Sequence, residues 1–330
     1  MPERTIITEL VQAGVEVTYG VGVAASKRFA SMGFDISPEF EATRIRPMGF
    51  KVDTIIAPMR EWSSGDIKGY PTYNELPWAL NSLLKKIVPV TTTGVSVWTY
   101  DWSTSSVETV DSYTVEQGDT ATRAHKITGG VVTGLNLSWS RGGDPEMSGT
   151  ILGQAFTDGI TPTAALVAAA PQPILPTQID VYLDALWLNR GVTKLTRVLS
   201  AGVAIESMWD GLWVLNTSNA SYVAIVQQAP DVTFNLTVEA DAAGMALLTA
   251  MRAGTAQAFE IKATGPNIAG GTPVTPTSMK IDFMGAIEGP PQFGEEAGVR
   301  TAEWTVRNTH DAVSGKALIV EIKNSLATLS

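Results

Sequence analysis

The stretch from Val131 to Gln154 sets the first limit on what this chain can fold into. Val131, Leu135, Leu137 and Trp139 alternate with Thr133, Gly134, Asn136 and Ser138, the period of two of a half-buried β-strand. After the turn Arg141-Gly142-Gly143-Asp144-Pro145 a second run begins at Glu146 and sets Met147, Ile151 and Phe156 among Ser148, Thr150 and Gln154. Gly and Asp-Pro at that point are hairpin chemistry. Thirty glycines, eighteen prolines and many Thr and Val residues extend the same reading to the whole chain: short strands and turns rather than long helices.

Length and charge set the next limits. With 330 residues and 44% hydrophobic content the chain can bury a large core, as two modules or one large β unit. A net charge of −10 argues against wrapping nucleic acid, which needs Lys and Arg to neutralise phosphates, though an acidic wall would let DNA slide past. The absence of cysteine excludes disulfides, zinc-thiolate sites and cysteine nucleophiles. No run approaches the ~18 apolar residues of a membrane span.

Two helices are expected. Leu76, Leu80, Leu83, Leu84 and Ile87 fall at helical spacing within Asn74–Lys86, predicting an amphipathic helix with Asn74 as N-cap and Pro77 in its first turn. Asp241 should cap a second helix that stops at Gly254. Between Tyr100 and Thr122 every charged residue is acidic: Asp101, Glu108, Asp111, Glu116 and Asp119. This run reads either as a solvated loop or as an exposed arm facing a polyanion or reaching to a neighbour. The segment 160–178 is rich in Ala and Pro, and a linker is expected there.

The order strand, helix, strand, long loop, closing hairpin occurs twice. Val52–Met59, Asn74–Lys86, Val95–Trp102 and the Val131–Gln154 hairpin are echoed by Val232–Glu239, the helix after Asp241, Phe259–Ala263 and a hairpin of Met279–Ile287 with Val299–Asn308. Residues 1–165 are read as a first module with an N-terminal arm, 166–177 as a linker and 178–330 as a second module. Each half carries a net charge of −5.

Chemistry is sparse. His125 and His310 lack partners in any recognised catalytic spacing, and carboxylate pairs such as Glu295-Glu296 or Glu239/Asp241 are common among 33 acidic residues. No phosphate-binding Gly loop or metalloprotease motif occurs. Neither an enzyme nor a cofactor is expected.

The segments GVEVTYGVGVAASKRF, FDISPEFEATRIRPMGFK, YNELPWALNSLL, SYTVEQGD, RAHKITGGVVTGLNLSWSR and MSGTILGQ, with DAAGMALLTAMRAG and EEAGVRTAEWTVRNTHD later, resemble the major tail tube proteins of long-tailed (siphovirus-like) bacteriophages. The resemblance implies a mainly β fold of two tandem β-sandwich or half-barrel modules, each with one flanking helix. It also implies a structural virion protein, made in the bacterial cytoplasm, that assembles into stacked rings around a DNA channel. Its implied partners are other copies of itself, tape-measure protein, tail terminator and baseplate or initiator proteins. Two modules per chain suggest a homotrimer with pseudo-sixfold symmetry, the alternative being a homohexamer. On this reading Asp101, Glu108, Asp111, Glu116 and Asp119 form a lumen or ring-stacking arm, and Asn136, Ser138, Ser148, Thr150, Glu295 and Glu296 belong to wall hairpins. A carbohydrate- or receptor-binding tail module is the other reading; it would expose Trp98, Tyr100, Trp102 or Trp209 in a cleft.

Overall fold

The computed structural model describes residues 9–119, 123–215, 220–271 and 273–329. The chain is mainly β, and its strands form two layers. A long strand, Ala124–Ser140, belongs to both layers. Its first half pairs with Tyr113–Gly118 on one side and Ala155–Ile160 on the other. Its second half pairs with Glu146–Gly153 and, across the chain, with Val198–Glu206. The change of partner falls at Gly129-Gly130, where Gly129 takes φ +64° and an added Cβ at Gly130 would lie 2.9 Å from the Tyr113 carbonyl.

The front layer is one continuous antiparallel sheet. In spatial order it runs Met32–Ile45, Ile55–Gly69, Glu146–Gly153, Ala124–Ser140, Val198–Glu206, Asp231–Glu239, Val299–Asn308 and finally Gln292–Glu296. Four strands come from each half of the sequence. They join where Leu135–Ser140 pairs with Ser200–Ile205.

The back layer has two parts. In the first half, Lys27–Arg28, Leu10–Val15 and Tyr113–Gly118 lead to Ala124–Ser140. In the second, Lys194–Leu195, Ile179–Asp184, Gln257–Asn267 and Pro276–Ile287 follow the same order, and Leu318–Asn324 takes the place of Ala155–Ile160. The recurrence extends to register. Gln12 lies opposite Arg28 and Ala13 opposite Lys27, just as Val181 lies opposite Leu195 and Tyr182 opposite Lys194.

Several expectations change. The strand Val95–Asp101, assigned to the first half by order, pairs with the C-terminal strand Leu318–Asn324 and so lies in the second half's back sheet. The closing hairpin of the second half is broken: only Gly285–Ile287 pairs with Val299–Asn308, and the intervening GPPQFGEEAG contributes its own strand, Gln292–Glu296. Residues 9–32, expected as part of an N-terminal arm, are woven into their own half, and residues 1–8 lie outside the described set. The linker region packs too: Ile174 is buried and accepts a hydrogen bond from Trp139 Nε1.

The first helix spans Leu76–Leu83 and every one of its residues is buried. It is therefore not amphipathic but a core helix, enclosed all round. Asn81 and Ser82 are satisfied internally: Tyr100 Oη donates to Asn81 Oδ1 at 2.8 Å, Asn81 Nδ2 donates to Asp111 at 2.9 Å, and the Val132 N–H donates to Ser82 Oγ. Asn74 is not the N-cap. Glu75 holds that position, and its carboxylate accepts instead from the N–H groups of Ala30, Ser31 and Met32, clipping the N-terminal segment to the helix. The second helical region is two short pieces, Ala242–Met245 and Leu247–Ala253. It starts where expected, with Asp241 accepting from the Gly244 N–H at 2.8 Å, and stops at left-handed Gly254. One hydrophobic core runs through both halves, from Trp78 and Tyr113 to Phe234, Phe259 and Trp304.

Candidate assembly surfaces

Alternation along the front sheet gives it two faces of opposite character. One face packs Ile67, Ile151, Leu135, Leu137, Val203, Phe234 and Trp304 into the core. The other is polar in every strand. A row crossing six strands reads Lys68, Ser148, Asn136, Ala204, Thr233, Arg307. The next rows hold Ser138 with Gly202, Asn235 and Thr305, and Asp66 with Thr150 and Gly134. The structure thus brings Asn136, Ser138, Ser148 and Thr150 together on one surface. The sequence reading missed their neighbours Asp66, Lys68, Asn235, Thr305 and Arg307, although VTFNLTVE alternates plainly enough to have shown Asn235. A concavity of about 660 Å³ lies on this face between Asp66, Lys68, Asn136, Thr150 and Glu206.

The acidic run does not form an exposed arm. Tyr113–Gly118 is buried along its whole length. Asp111 is 4% exposed and bonds Asn81 and Lys86 Nζ, the latter at 2.7 Å; Glu116 is 5% exposed and accepts from Gln12 Nε2 at 2.6 Å and from the Thr163 N–H at 2.7 Å. A carboxylate buried this deeply persists because donors surround it. Glu108 pairs with Lys85 and accepts from the Ser103 N–H, Asp101 pairs with Lys316, and Asp119 is half-buried beside Arg123, whose carbonyl accepts from its N–H. These residues hold elements together and do not present a charged wall.

Glu295 and Glu296 sit in the strand Gln292–Glu296, which is exposed throughout and, among the described residues, pairs only with Val299–Asn308. Among the described residues the front sheet therefore ends in two edges without a strand partner, Gln292–Glu296 at one side and Met32–Ile45 at the other. The second edge is part of a long hairpin with Ile55–Gly69 whose distal part stands clear of the body. Met48 at 99%, Val52 at 68% and Ile56 at 66% exposure make its tip apolar. In the second half the matching connection folds down. Its small hairpin, Trp209–Leu212 with Ala224–Gln227, packs on the first half, with Trp209 Nε1 donating to the Leu83 carbonyl at 2.7 Å and Trp213 set edge-on to Trp62.

Of the aromatic residues that a ligand cleft would need, Trp102 is half-buried and the other three are buried. Trp98 and Tyr100 are fully buried, Trp209 nearly so, and Trp98 Nε1 donates to Asn324 Oδ1. Half-buried Tyr19 and buried Tyr222 pack with ring centroids 6.5 Å apart, and desolvation raises both phenols above their usual range, as fits packing groups.

No curated protein matches the chain at a significant level. The family described as phage tail tube protein matches residues 9–307, nearly the whole length of the chain. The chain belongs to the phage tail tube protein family, and its role is structural, in the virion tail.

Proposed function

We propose that copies of this chain close into rings through the two unpartnered edges of the front sheet, and that rings stack into a tube through which DNA passes. The observation that carries this reading is the front sheet itself. It is polar on one face, core-packed on the other, continuous across both halves and open at both ends. Closing such a sheet on its copies removes the edges. The polar face then lines the channel, where Asp66, Glu206, Glu303 and their hydroxyl and amide neighbours give DNA no dense basic surface to bind.

The recurrence of the same strand order in both halves of one chain supports a ring of three chains with pseudo-sixfold symmetry, since each chain supplies two equivalent wall segments. Residues 9–165, apart from the strand Val95–Asp101, and 178–329 are then two fused modules. The exposed apolar tip around Met48, Phe50 and Val52 suits contact between rings, a head-to-tail contact that repeats into a filament. Tape-measure, terminator and initiator proteins are the partners this role requires. Negative-stain imaging of purified protein, with and without an initiator complex, tests it: rings or tubes of three chains per repeat are expected, and six chains per ring by mass per length overturns the trimer.

A further inference from the structure

The chain contains a template for its own contact with a second copy. Within one molecule the two halves meet at a strand pairing in which Leu137 lies opposite Val203. Each has a counterpart at a free edge. Leu137 lies opposite Met147, which lies opposite Gly69; Phe293 lies opposite Ala302, which lies opposite Val238. Val203 lies opposite Phe234, and Ile36 lies opposite Gly65. Ile67 and Leu236 fix the alignment, since Ile67 has Phe34 and Gly149 as its partners while Leu236 has Ala201 and Trp304. Phe293 thus stands where Leu137 stands, and Ile36 where Val203 stands.

We infer that the seam between two copies pairs Gln292–Glu296 of one with Gly33–Ser37 of the next, antiparallel, with Phe293 opposite Ile36, Gln292 opposite Ser37 and Glu296 opposite Gly33. This deepens the ring reading and rests on it.

Three features of the edges agree with the assignment. Phe293 is half-exposed in the isolated chain, with the Arg300 guanidinium over its ring at 4.7 Å, and the seam would place it against the apolar face that Phe34 and Ile36 begin. The strand that bears it is held rigidly by a two-residue turn, Ala297 and Gly298, both at positive φ. Such a turn matches the twist of an antiparallel pair and presents its outer edge already extended. On the other side, the Ile36 N–H points away from its own hairpin partner and donates to the Gln117 side chain at 3.3 Å, so a carboxamide now stands where a neighbouring strand's carbonyl would. A groove of about 480 Å³ runs beside this edge, lined by Gly33, Phe34, Asp35 and Ile36. Because the Ile36 N–H faces outward, Ile36 and Phe293 form a hydrogen-bonded pair, and Ser37 and Gln292 the closer, non-hydrogen-bonded one.

The chain has no cysteine, so crosslinking reports the register directly. The pairs Ser37→Cys with Gln292→Cys and Gly33→Cys with Glu296→Cys should form disulfides between copies in assembled particles. The swapped pairs, Gly33→Cys with Gln292→Cys and Ser37→Cys with Glu296→Cys, should not, because they lie four residues or about 13 Å out of register. Phe293→Asp should abolish ring formation with an unchanged thermal unfolding transition, and Phe293→Leu should retain it. Crosslinking of the swapped pairs, or normal assembly of Phe293→Asp, overturns the register. A wild-type protein that forms neither rings nor tubes overturns the ring reading instead.

Discussion

The two halves use the same strands to different ends, and the contrast lies in what fills the space around them. In the first half the helix Leu76–Leu83 is wholly buried and locked by the Glu75 carboxylate, while the front hairpin runs far beyond the body. In the second half the helices are short and half-exposed, held by a single Asp241 cap, and the corresponding connection folds back as a small hairpin over the first half. A rigid base lets an element project without loosening the core. The second half needs no such base, because its connection is supported by the first.

The contrast should be measurable. Glu75→Ala removes the acceptor of several buried N–H groups at once and should cost about 3 kcal/mol or more of unfolding free energy in a denaturant titration. Asp241→Ala, at the matching point of the second half, should cost only about 1 kcal/mol. A smaller cost for Glu75→Ala than for Asp241→Ala would break the comparison.

A finer effect separates the back sheets. Glu260 is buried beside Asp282 and shares Lys280 with it. Desolvation, with Asp282 adding to it, raises its carboxyl above the ordinary value despite Lys280. A folded-state value above the unfolded one means that this group favours the fold most below the unfolded value, and that the gain is lost as pH rises through the folded value. Wild type should therefore gain stability relative to Glu260→Gln as pH falls from neutrality toward 4, and thermal unfolding of the two across that range checks the sign. The smallest change in stability belongs to the projecting tip: Met48→Ser with Phe50→Ser should shift unfolding by no more than about 0.5 kcal/mol. The same variant should still form rings but fail to lengthen them, scored by particle length in micrographs.

What could be read from the sequence was local. The Val131–Gln154 hairpin announced itself because alternation and turn chemistry lie within one short window, and Asp241 and Gly254 mark their helix because caps act on neighbours. Pairing between distant strands leaves no such trace. Nothing in Val95–Asp101 says that its partner lies at the far end of the chain. The acidic run misled for the same reason: Asp111 and Glu116 look solvated until Lys86, Asn81, Gln12 and Thr163 are brought to them from elsewhere. Of the proposed assembly surfaces, the polar rows were half legible from alternation. The edge at Phe293 was hidden inside a stretch whose Gly and Pro content reads as a turn.

The strand pairing between Leu135–Ser140 and Ser200–Ile205 joins two parts of one polypeptide, so it forms on folding whether or not another molecule is nearby. Diluting the protein cannot undo it. A wall made from such chains would hold two kinds of joint, one indifferent to concentration and one governed by it. Such a wall would come apart in two-module pieces, and those pieces together would already carry half of the joints the finished ring requires.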